Sequence, residues 1–97
     1  MATFILLADY TDQGIRTIKD SPKRLDAARN MASRMDVRIK DYYLCMGTHD
    51  IVIVAESTSD EAMARFALSV GAVGAVRTTT LKAFDEQQYR KIIGELA

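Results

Sequence analysis

The sequence is poor in the residues that staple a chain or hold a metal. Its 97 positions contain one cysteine, one histidine, one proline and no tryptophan. A single cysteine, Cys45, excludes an internal disulfide and suits a reducing compartment, and it excludes a structural zinc site built from several thiolates. With His49 the only imidazole, a metal site would need carboxylates or a second subunit, so neither metal nor cofactor is expected. Charge of one sign is lacking too, because thirteen basic residues balance thirteen acidic ones. A nucleic-acid binder carries a basic excess, and none exists here. The basic stretches around Lys23, Arg24 and Arg29, and from Arg34 to Lys40, are interrupted by Asp26 and Asp36 and read as a solvated helix face. No apolar run approaches the roughly 20 residues that span a bilayer. The opening residues Met1 to Phe4 have no basic n-region and run straight into a strand pattern. Neither a membrane span nor a signal peptide is expected, and the chain reads as cytoplasmic.

What remains is an ordinary globular composition, 48% hydrophobic and 27% charged. The length suits one domain over residues 1–97. A chain this size buries roughly 60–65% of the surface its unfolded form exposes, an adequate core that oligomerisation would reinforce.

Thr3 to Tyr10 is a short apolar run closed by the turn residues Thr11 to Gly14, which predicts a strand buried on both faces. A helical turn follows, with Ile15 and Ile18 expected to tuck inward. Ser21 before Pro22 predicts a helix start, since proline lacks the N–H that would be unpaired there. That helix runs to about Met35, with Leu25, Ala28, Met31, Ala32 and Met35 on one face. Val37 to Met46 and Asp50 to Glu56 read as a hairpin around a two-residue Gly47-Thr48 turn. Its register pairs Met46 with His49, Cys45 with Asp50 and Tyr43 with Val52. Ile39, Asp41, Tyr43 and Cys45 then share one face, and Tyr42, Leu44, Ile51 and Ile53 the other. Thr58 and Glu61 form a capping box for a helix carrying Met63, Phe66, Ala67 and Val70, which stops near Gly71 or Gly74. Ala75 to Phe84 is a fourth strand, and Asp85 with Gln88 caps a last helix through Tyr89, Ile92, Ile93 and Leu96.

The order β-α-β-β-α-β-α predicts an α+β, ferredoxin-like βαββαβ sandwich with an extra C-terminal helix and a four-stranded sheet of the antiparallel type. Right-handed crossovers place the first and third strands as parallel neighbours, with the second and fourth at the edges. Both helices then cover one sheet face, yet the first and third strands are apolar on both. Leaving Ile5, Leu7, Val52 and Val54 in water would forfeit about 1.5–3 kcal/mol each. A second copy in a face-to-face homodimer, or a higher oligomer, is the expected cover.

Four segments, Phe4 to Ile15, Ile18 to Arg24, Met46 to Val52 and Val76 to Phe84, resemble the GYD-domain family across nearly the whole chain. The resemblance implies membership of the dimeric α/β-barrel superfamily, which agrees with the dimer reached from the sheet. The family takes its name from a glycine-tyrosine-aspartate motif at the second hairpin. Here that stretch reads Gly47, Thr48, His49, Asp50, with histidine in the tyrosine's place, so no role that needs a phenol carries over. The resemblance implies fold and assembly and no particular chemistry.

Several positions are candidates for function. His49, the one imidazole in the chain, is the candidate catalytic base, provided a carboxylate orients it. Asp50 points to the other face of its strand and cannot be that carboxylate. Tyr43, Asp50, Tyr10 and Arg77 are candidate ligand-binding residues. Tyr10 and Asp9 are expected near Arg77, at the end of the sheet opposite His49. Gly71 to Gly74 follows a helix and reads as a helix stop, not a nucleotide loop. The first functional expectation is a non-catalytic homo-oligomer that binds a small apolar or weakly polar molecule between sheet and helices. The alternatives are a cofactor-independent isomerase or monooxygenase using His49 or Tyr43, and a structural assembly module.

Overall fold

A computed structural model describes residues 1–97. Strands β1 (Ala2–Tyr10), β2 (Val37–Leu44), β3 (Ile51–Ser57) and β4 (Val76–Ala83) form one sheet in the order β2-β3-β1-β4. Helices α2 (Ser21–Arg34) and α3 (Asp60–Val73) cover one face. A short α1 (Asp12–Arg16), a 3-10 turn (Ile18–Asp20) and a terminal α4 (Glu86–Gly94) complete the chain. This is the ferredoxin-like sandwich with its extra helix. No helix is long and apolar enough to cross a membrane.

One expectation about direction is corrected. β1 and β3 are neighbours, but antiparallel: Ala2 pairs with Ser57 and Ala8 with Ile51. The crossover rule governs β1 and β2, the strands on either side of α2, and β3 is inserted between them. Because β3 returns from β2 through a hairpin, it opposes both. β4 also runs antiparallel to β1, with Asp9 opposite Arg77 and Ile5 opposite Leu81.

Strand alternation sorts the residues into two faces. Phe4, Leu6 and Ala8 of β1, with Ile51, Ile53 and Ala55 of β3, are buried beneath Ala32, Ala62, Met63 and Phe66 of the helices. Ile5, Leu7, Val52 and Val54 occupy the open face and are only half-buried. The hairpin register holds where Tyr43 meets Val52, but an irregularity between Ile39 and Asp41 shifts the parity of β2. A bulge of this kind lets one strand carry an extra residue. Ile39 therefore joins Tyr42 on the covered face instead of sharing a face with Asp41 and Tyr43.

The hairpin end is also looser than a two-residue turn. The Cys45 N–H donates to the Asp50 carbonyl at 2.7 Å, but Met46 and His49 do not pair. Asp50 is drawn to β1 instead, its N–H donating to the Ala8 carbonyl at 3.1 Å.

Helix starts differ by one residue from the sequence reading. Ser21 lies inside α2 and Asp20 holds the cap position, since the preceding 3-10 turn already engages the first N–H groups. Ser59, not Thr58, caps α3 by accepting from the Ala62 N–H. The Thr58 hydroxyl binds the Asp36 carboxylate. Gly74 ends α3 with φ of +93°, a conformation that favours glycine. Asp85 and Gln88 form the expected capping box on α4.

Ile15 and Ile18 do not tuck inward; Ile15 is 53% exposed. Gly14 takes the inner position because a Cβ there would stand 1.9 Å from the Ala75 carbonyl oxygen. That contact ties α1 to the start of β4, together with the Thr11 N–H donating to the same carbonyl at 3.0 Å.

Candidate functional site

Between the covered face and the two long helices lies a cavity of about 310 Å³. Fifteen of its nineteen lining residues are hydrophobic, so its wall is mostly apolar. α2 contributes Ala28 and Met31, four and seven residues on from Arg24 and thus on the same helical stripe. α3 contributes Phe66 and Val70, and the sheet contributes the floor through Leu6 and Ile53.

The cavity has a polar end, where β1 finishes and α2 begins. Tyr10, at an even position of β1, points to the covered face, and its hydroxyl lies 3.3 Å from Ser21 Oγ. Tyr42 and Arg24 line the same end. Burial raises the Tyr42 phenol above its ordinary 10.0, the Tyr10 phenol beside it adds to the rise, and Ser21 and Arg24 oppose it. Tyr42 therefore stays a protonated hydrogen-bond donor at neutral pH. Arg24 is braced from outside: Nη1 donates to the Thr17 carbonyl at 3.1 Å, and Nη2 to the Gly14 carbonyl at 3.2 Å. The close Gly14–Ala75 packing thus sets where the guanidinium sits.

The open face carries a second group of polar residues. Both carboxylate oxygens of Asp9 lie 3.3 Å from His49 Nδ1, and Oδ1 also accepts from the Asp50 N–H at 3.2 Å. The expectation that His49 and the Asp9–Arg77 end lie at opposite ends of the sheet is overturned. It followed from the parallel placement of β3, whereas the antiparallel strand begins where β1 ends. Arg77 stands opposite Asp9 on β4 and makes no ion pair. Tyr43 lies on the same face, 55% exposed. Asp9, His49 and Asp50 do not form a group able to hold a metal ion.

The five residues singled out from sequence are therefore divided. Tyr10 faces the cavity. His49, Tyr43 and Arg77 lie on the open-face side. Asp50 works at the seam, where Oδ2 accepts from the Tyr10 N–H at 3.0 Å. Sequence reasoning missed Ser21 and Tyr42 as neighbours of Tyr10, and Arg24 as part of the same cavity wall. The signal was present in the spacing of Arg24, Ala28 and Met31, which puts the arginine at the head of an apolar stripe. It also left Asp9 unassigned to His49.

Comparison with known proteins agrees with this architecture. The GYD domain family model matches residues 4–93. A Thermus thermophilus protein named glutamine synthetase and cystathionine beta-lyase binding protein is 34% identical over 84 residues, covering 86% of this chain and 88% of its own. The crystal structure of TTHA0845, also from Thermus thermophilus, superposes with a TM-score of 0.57 at 20% identity, over 88% of this chain and 95% of that one. That likeness is one of fold. The chain belongs to the GYD-domain family.

Proposed function

We propose that this protein is a non-catalytic, self-associating binding protein that holds a small apolar or weakly polar molecule between its sheet and helices. The cavity carries this reading: about 310 Å³, apolar on most of its wall, with hydroxyl and guanidinium donors gathered at one end. That volume lies at the small end of the roughly 300–1,000 Å³ typical of small-molecule sites. Catalysis is less well supported, because the one imidazole lies on the far side of the sheet from this cavity. A His49–Asp9 pair cannot reach a molecule held beneath α2 and α3. His49→Ala tests this directly: binding should persist, and loss of any turnover with an intact fold would favour an isomerase or monooxygenase instead.

Self-association is supported by two uncovered apolar surfaces. Only 15 of 97 residues are buried in the single chain, so its own core is small. The open face presents Ile5, Leu7, Val52, Val54 and Leu81, and α4 presents Tyr89, Ile92 and Ile93 to solvent, with Leu96 exposed just beyond its end. A second reading is supported by the Thermus relative, whose name describes binding to two enzymes. On that reading a protein partner takes one of these surfaces.

Native mass spectrometry on freshly purified protein examines assembly and cargo together. A dimer or larger species with a retained small mass is expected. An empty assembly would count against the small-molecule reading, and a monomer would count against self-association.

A further inference from the structure

The cavity's polar end is built from donors and positive charge. Two residues of the whole cavity wall are arginines, Arg24 at this end and Arg34 farther along α2, and none is an aspartate or glutamate. Neither arginine forms an ion pair within the chain. The acceptors around Arg24 are all uncharged: the Thr17 carbonyl and hydroxyl on Nη1 and the Gly14 carbonyl on Nη2. They fix the guanidinium without neutralising it. Its Nε–H makes no hydrogen bond, so the guanidinium keeps an open donor as well as its uncompensated charge.

We propose that the molecule held in this cavity is a carboxylate with an apolar body, its head bound where Arg24, Ser21, Tyr10 and Tyr42 meet. The proposal rests on the cavity being a ligand site, and it names the class of ligand. Hydroxyls rotate to suit an acceptor, so Tyr10, Ser21 and Tyr42 can each turn a proton toward the carboxylate. The body lies along Ala28, Met31, Phe66 and Val70. A neutral apolar molecule filling this end would draw water away from Arg24 without supplying a counter-charge, which is unfavourable for a charged group. The head site is single. Arg34 lies ten residues along α2, roughly 15 Å away at 1.5 Å per residue, too far to share one carboxylate.

The test pairs decanoate with decanol, titrated calorimetrically into the full chain. The two share an apolar body and differ at the head. Decanoate should bind at least about tenfold tighter. Arg24→Gln should bring the ratio close to one while leaving decanol affinity unchanged, and Arg34→Gln should leave the ratio intact. Arg24 also braces the Gly14–Thr17 segment, so Ser21→Ala and Tyr10→Phe serve as further variants. Each removes one donor and should weaken decanoate a few-fold with no change for decanol. Equal affinities in the wild-type protein would overturn the carboxylate assignment and leave the cavity reading standing. Binding of neither would overturn the cavity reading itself. A preference that survives Arg24→Gln but disappears in Arg34→Gln would also overturn the head assignment.

Discussion

Leu6 and Leu7 are neighbours on β1, yet Leu6 is fully buried beneath the helices and Leu7 lies half-buried on the open face. The same holds across the sheet, where Ile53 is covered and Val52 and Val54 are not. Apolar character is thus nearly equal on the two faces, and what separates them is the cover that α2 and α3 provide. Polar groups divide along the same line. Tyr10 and Tyr42 of the sheet meet Ser21 and Arg24 of α2 on the covered side, where burial raises the Tyr42 phenol. His49, Asp9 and Arg77 gather on the other side, at the same end of the sheet. One strand end therefore serves two surfaces. A covered face with a void suits a small ligand, and an uncovered apolar face suits a macromolecular surface.

The sharpest way to break this comparison is to truncate each leucine. Leu6→Ala should destabilise the fold by about 3 kcal/mol, the usual loss for a fully buried leucine. Leu7→Ala should cost about 1 kcal/mol in dilute solution but weaken self-association, seen as a shift to smaller species in size-exclusion chromatography. Urea unfolding at fixed protein concentration separates the two effects. Equal losses for the two variants, with no change in assembly, would erase the distinction between the faces.

Gly14→Ala should follow, at about 2 kcal/mol, because the new methyl must displace the Ala75 carbonyl. Its consequence for function is specific. Moving Gly14 shifts the acceptor that holds Arg24 Nη2, so ligand affinity should fall more than that of an equally destabilised variant on the open face. Parallel binding and melting curves check this.

Much of the architecture was legible because local signals agreed with the global pattern. The Asp85–Gln88 box and the helix stop at Gly74, one of the two glycines expected to end α3, behave as their residue types dictate. Three things were hidden for physical reasons. Strand direction depends on which strand is inserted between the partners of a crossover, and that error alone moved His49 away from Asp9. The shift near Lys40 left no glycine or proline to mark it, so Ile39 was placed on the wrong face. Arg24 looked like part of a solvated basic patch, since its neighbours Lys23 and Asp26 are indeed exposed. Only the fold shows that its own position turns toward the cavity.

The smallest effect concerns pH. The folded Tyr42 phenol titrates above its unfolded value near 10.0, so its protonated form is favoured by folding. That contribution is fully present below about pH 10 and is lost as pH rises through the folded value. Stability should therefore decline in the alkaline range. Tyr42→Phe should flatten the decline, followed by thermal melts across an alkaline series with phenolate absorbance read alongside.

Methyl-resolved NMR with an apolar ligand tests the central claim most directly, because the two faces carry distinct reporters. Decanoate titrated into labelled protein should perturb Met31, Ile53 and Val70 on the covered side and leave Leu7, Val52 and Leu81 unmoved. Shifts confined to Leu7, Val52 and Leu81 would place the ligand on the open face and contradict the account.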